Sequence, residues 1–82
     1  MDEDFTLSVQ YNHQERHYTA RLLNFGYSYK IEVDIDDLKV HFEPDEERKW
    51  RALVSYEDLQ ANKTISRDLL VAIAGTIENI VS

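Results

Sequence analysis

His13 and His17 are separated by three residues, with Glu15 among them, and this is the nearest the sequence comes to a metal-ligand pattern. On a helix that spacing puts two imidazoles on one face, where they can hold zinc. Here the pair straddles a polar stretch that reads as a hairpin turn, so the rings need not converge, and no third ligand stands close by. Asp34, Asp36 and Asp37 open like a calcium-binding loop. That loop needs Gly at its sixth position and Glu at its twelfth, and this chain has Lys39 and Asp45 there. Glu32 and His41 are the residue types of an acid–base pair, but the pattern around them makes them ordinary cross-strand neighbours on an outer sheet face. Asp45, Glu46 and Glu47 read as a solvated acidic turn. With 2 glycines there is no phosphate-cradling loop, and with no cysteine there is neither a disulfide nor a thiolate zinc site. The expectation is a protein that is not an enzyme and uses no metal or cofactor.

The elements that would position these residues follow from a change of period. Apolar residues recur at every second position as far as Val54, then at helical spacing from about Leu69 to Val81. Phe5, Leu7, Val9 and Tyr11 mark a first strand, and the polar residues 12–16 a turn. Tyr18, Ala20 and Leu22 mark a second strand over residues 17–23. Gly26 is placed to supply a positive φ in the turn that follows. Tyr29, Ile31, Val33 and Ile35 then alternate with Lys30, Glu32 and Asp34.

A turn at Asp36-Asp37 sets Ile35 opposite Leu38, Val33 opposite Val40 and Ile31 opposite Phe42. The same register puts Asp34 beside Lys39, Glu32 facing His41 and Lys30 beside Glu43. A slip of one residue would send every apolar side chain to the wrong face. Pro44 ends this strand. A fifth, over residues 48–54, is expected to set Trp50, Ala52 and Val54 across from Phe42, Val40 and Leu38, with Glu43 meeting Lys49.

Ser55-x-x-Asp58 has the form of a capping box and predicts a short helical turn through Ala61, stopped by Asn62. Ser66 is the expected N-cap of the main helix, Asp68 suits its dipole, and Ile65 with Leu70 forms a hydrophobic staple. Leu69, Leu70, Ile73, Ala74, Ile77, Ile80 and Val81 make an apolar stripe roughly 140° wide. The rest of the helix is short of charge: Val71, Ala72, Gly75, Thr76 and Asn79, with Glu78 as its one ionisable group. Ala72, Gly75, Thr76 and Asn79 would let another backbone come close. Five strands about 4.8 Å apart make a flat sheet roughly 20–25 Å wide, and a helix about 10–12 Å across does not cover it. The sheet must curl around the helix, residues 56–61 must cover its margin, or another molecule must.

Most aromatics (Phe5, Tyr11, Tyr18, Tyr29, Phe42 and Trp50) fall on the expected inner face and read as core. Phe25 and Tyr27 flank Gly26 in a turn. With Leu23 and Leu53 on the outer face they form a candidate apolar patch. Sixteen acidic against nine basic residues give a net charge of -7, which disfavours nucleic acid and acidic lipid surfaces. The acidic, polar start is not a signal peptide, and no apolar run approaches the roughly 20 residues of a membrane span. The expected location is cytoplasmic. At 82 residues the chain is one domain of marginal stability.

Residues 26–33, Gly-Tyr-Ser-Tyr-Lys-Ile-Glu-Val, and 42–47, Phe-Glu-Pro-Asp-Glu-Glu, resemble segments of small bacterial proteins of strand-rich type with a single C-terminal helix. The resemblance implies that architecture and carries no functional residue across. The reading is an α+β domain: a five-stranded antiparallel meander, strongly twisted, packed against one C-terminal helix. The expected function is a non-catalytic protein-interaction module whose partner is another protein or a second copy in a homodimer. Its candidate contacts are Phe25, Tyr27, Ala72, Gly75, Thr76 and Asn79. The alternative is a small-molecule binder using the concave aromatic face of the sheet.

Overall fold

The computed structural model describes residues 3–24, 26, 28–61 and 65–81. Phe25, Tyr27 and Asn62, singled out above, lie outside the described residues. The period-two segments form five strands: β1 (Glu3–Tyr11), β2 (Gln14–Asn24), β3 (Tyr29–Ile35), β4 (Leu38–Pro44) and β5 (Trp50–Leu53). They make one antiparallel sheet in the order β1-β2-β3-β4-β5, followed by α1 (Tyr56–Ala61) and α2 (Arg67–Val81). This is the α+β meander with a C-terminal helix that the periodicity predicts.

The β3–β4 hairpin has the expected register, with Ile35 opposite Leu38, Val33 opposite Val40 and Ile31 opposite Phe42. Asp36 and Asp37 both have positive φ, 47° and 71°, the backbone of a two-residue hairpin turn that matches strand twist. Asn12 and His13, at 52° and 61°, do the same between β1 and β2. The turn is therefore two residues long, not the residues 12–16 expected, and β2 begins at Gln14. The added pairs include Val9 with Arg16. Arg16 interrupts the apolar alternation because its guanidinium lies over the Tyr11 ring, 5.1 Å from the centroid.

The β4–β5 register differs from expectation by two residues. Trp50 sits opposite Pro44 and Ala52 opposite Phe42, so Glu43 meets Arg51 rather than Lys49. The cause is the Asp45 turn. Its Oδ1 accepts from the N–H groups of Glu47 and Lys49 at 2.8 and 2.9 Å, and its own N–H donates to the Lys49 carbonyl at 2.7 Å. Arg48 takes a φ of 67° to close it.

The core is one cluster. Leu7, Val9, Ala20, Ile31, Val33, Ile35, Val40, Phe42 and Trp50 from the sheet meet Leu69, Leu70, Ile73, Ala74 and Ile77 of α2, with Ile65 just before the helix. Helix α2 approaches both edge strands, β1 and β5, which lie at opposite ends of the sheet order. A helix about 10–12 Å across reaches both only if the sheet curls around it. Leu59 of α1 packs at the margin of the same core. Three apolar residues expected inside are substantially exposed: Leu22 (37%), Tyr29 (44%) and Ile80 (56%). Leu22 and Tyr29 lie near the ends of their strands and Ile80 near the end of α2, away from the centre of the packed cluster. No helix among the described residues is long and apolar enough to cross a membrane.

Candidate functional site

Hydrogen bonds at both ends tie α2 to the edges of the sheet. Ser66 caps the helix, its Oγ accepting from the Leu69 N–H at 3.1 Å, and the same hydroxyl lies 3.0 Å from the Tyr11 hydroxyl at the end of β1. Near the other end, a Glu78 carboxylate oxygen accepts from the Trp50 N–H of β5 at 3.0 Å. The helix is thus tied to one edge strand at each end.

Hydrogen-bonding parity then tells which backbone groups each edge presents. In an antiparallel ladder, alternate residue pairs exchange both backbone hydrogen bonds and the intervening pairs point theirs away. A two-residue turn makes its flanking pair a bonded one. Tyr11–Gln14 is such a pair, so residues 5, 7 and 9 also face β2, and residues 4, 6, 8 and 10 face away from it. Carried across the registers, this parity makes Ile35–Leu38 a bonded pair, which the two-residue turn at Asp36-Asp37 independently requires. It also leaves the Trp50 N–H pointing off the β5 edge, where Glu78 receives it.

The β1 edge opens on a groove of about 780 Å³, lined by Thr6, Ser8 and Gln10 of β1 and by Ala72, Gly75, Thr76, Glu78, Asn79 and Ile80 of α2. The three strand residues are among those whose N–H and C=O groups face outward. The four helix residues selected from the sequence all lie in this groove. Ala72, Gly75 and Thr76 are half-buried and Asn79 is exposed. The Thr76 hydroxyl donates to the Ala72 carbonyl at 3.0 Å, so it serves its own helix. A Cβ added at Gly75 would meet nothing within 4 Å. Contacts among the described residues therefore do not require glycine there. Among the described lining residues Glu78 is the one ionisable group, and its carboxylate is engaged by β5.

The other candidates are not brought together. Leu23 lies on β2 and Leu53 on β5, with β3 and β4 between them, so they do not form one patch. Gly26 has the predicted positive φ, 89°, and its N–H donates to the Asn24 side chain at 2.8 Å. His13 sits in the β1–β2 turn while His17 extends along β2, 3.2 Å from the Ser8 hydroxyl. His41 Nε2 lies 3.0 Å from Glu32 on the outer sheet face, and Lys39 reaches the same carboxylate at 3.8 Å. Among the described residues, no group of three or more His, Cys, Asp or Glu is arranged to hold a metal ion. The concave aromatic face is filled by Leu69, Ile73 and Ile77, each at most 1% exposed. A recess of about 270 Å³ between β5, α1 and α2 is lined by Ala52, Val54, Leu59, Leu70, Val71 and Ala74, with Arg67 at its side.

Beside Asp4, on the outer face of β1, Arg21 Nε donates at 2.7 Å. This hydrogen bond holds the Asp4 carboxyl below the ordinary aspartate range. The chain matches no protein-family model, no curated protein and no solved structure.

Proposed function

We propose that this chain is a non-catalytic protein-interaction module that docks its partner, another protein or a second copy, in the groove between β1 and α2. The observation that carries this reading is Gly75. A glycine inside a helix costs about 1 kcal/mol relative to alanine, and the space around its Cα is open. The cost has no return among the described residues and has one if another backbone approaches there. The lining supports the same reading, since it is nearly free of charge on a chain whose residues are 30% charged. The alternative of a small-molecule binder on the concave face has less support, because that face would have to shed α2 first.

The test is a photo-reactive side chain introduced at Asn79, on the exposed rim of the groove. Irradiation in a lysate of the source cells should give an adduct of defined mass, either with a second copy or with another protein. Gly75→Leu should abolish it by filling the groove. No adduct, or one indifferent to Gly75→Leu, would contradict the reading.

A further inference from the structure

The groove joins two kinds of wall, and together they fit one kind of occupant. One wall is a strand edge that presents N–H and C=O groups at Thr6, Ser8 and Gln10, with Asp4 continuing the edge beyond the lining. The other is the low, small-residue side of a helix. We infer, on the footing of the interaction reading above, that the groove takes an extended peptide as a sixth strand, paired to the β1 edge and seated on Ala72, Gly75 and Thr76. Strand addition of this kind draws affinity from main-chain hydrogen bonds and specificity from alternate side chains.

The two edges of the sheet are built differently. β5 has four residues, carries Arg51, and has its outward Trp50 N–H capped by Glu78. β1 has nine residues in an unbroken register with β2, without a bulge, a proline or a lysine, and is uncharged from Phe5 to Tyr11. Exposed edges are normally blunted by shortness, charge or a covering group, and among the described residues β5 carries these while β1 from Phe5 to Tyr11 does not.

The outward groups of β1 run over residues 4–10, about 20 Å of extended chain, or roughly six or seven residues of partner. Side chains of the added strand would alternate. One set would face α2, where Ala72 and Ile80 make the surface apolar and Gly75 leaves depth for a branched side chain. The other set would face outward beside Thr6, Ser8 and Gln10 and would be polar. A net charge of -7 steers cations toward the domain and repels anions, so the partner segment carries Lys or Arg at its flanks. A second copy of β1 fits less well. Its own inner residues, Leu7 and Val9, are already buried under its own helix and cannot also seat on this one. Two chains of -7 also repel each other.

The experiment is selection of a displayed library of random dodecapeptides on the intact chain. Binding of the enriched peptides is then measured to wild type and to Ser8→Pro. Proline at position 8 removes an N–H that faces the groove rather than β2, so the sheet keeps its own hydrogen bonds. Circular dichroism and thermal melting check that the variant is folded. Thr6→Pro, which also removes an outward N–H, is the second variant if Ser8→Pro does not fold. Enriched peptides should alternate apolar and polar residues with basic flanks, and their affinity should fall roughly tenfold or more in the proline variant. Enrichment of acidic or non-alternating peptides, affinity unchanged by proline, or no enrichment at all would each overturn the strand-addition proposal. A Gly75-dependent adduct at Asn79 obtained alongside such a result would leave the interaction reading standing, so the two fail separately.

Discussion

The Glu78 carboxylate receives the Trp50 N–H at 3.0 Å, 28 residues away in sequence. The bond caps one outward N–H of the β5 edge with a helix side chain. With Glu78 aimed at β5, the helix turns Ala72, Gly75, Thr76 and Asn79 toward β1.

Glu78→Ala should therefore cost about 1.5–3 kcal/mol, the range for a hydrogen bond to a charged group. Glu78→Gln should recover part of this, because the amide oxygen still accepts. Urea denaturation of the two variants measures the difference, and equal losses would contradict a hydrogen-bonding role.

Tyr11 and Ser66 tie the other end of the helix at 3.0 Å. Tyr11→Phe should cost about 0.5–1.5 kcal/mol. Ser66→Ala should cost about 1–2 kcal/mol, because it also removes the N-cap bond to Leu69. The double variant should lose less than the sum of the two, since both remove the same contact. Strict additivity in a denaturation cycle would show that the two hydroxyls do not interact.

Gly75→Ala should stabilise the isolated chain by about 1 kcal/mol, through helix propensity alone, since the new methyl meets nothing. A thermal melt of the dilute protein reads this as a raised midpoint. A lowered midpoint would mean that the space beside Gly75 is not open.

The Asp4–Arg21 pair gives stability a pH dependence of known sign. The Asp4 carboxyl is held below its ordinary value by the Arg21 hydrogen bond. Its contribution is complete above the ordinary aspartate pKa and is lost as pH falls through the lowered folded value. Asp4 is exposed, so the effect is small and salt-sensitive. NMR titration should show Asp4 titrating lower in wild type than in Arg21→Gln. Coincident curves would contradict the pairing.

The β3–β4 hairpin was legible because a slip of one residue would expose Ile31, Val33 and Ile35 together. The β4–β5 register was not, because a shift of two residues keeps every side chain on its face, so the pattern is the same for both registers. Only the Asp45 turn, a matter of local hydrogen bonding, separates them. The start of β2 was obscured by Arg16, a charged residue at an inward position whose stem and guanidinium lie over Tyr11. The caps at Ser55 and Ser66 were legible because their bonds span three residues.

The helix half of the groove could be read from its missing charges. The β1 half could not, because it depends on strand order and hydrogen-bond parity. A signal for it was present in Asn12-His13. Treated as a two-residue turn, it gives the parity of β1 from the sequence.

Whether β1 presents an open edge to the groove is read by amide hydrogen exchange along β1 in the dilute free chain. Exchange should be slow at Phe5, Leu7, Val9 and Tyr11, which bond to β2, and fast at Thr6, Ser8 and Gln10. Protection of those three amides equal to that of their neighbours would mean that the edge is already covered within the chain, leaving no open edge for a partner strand.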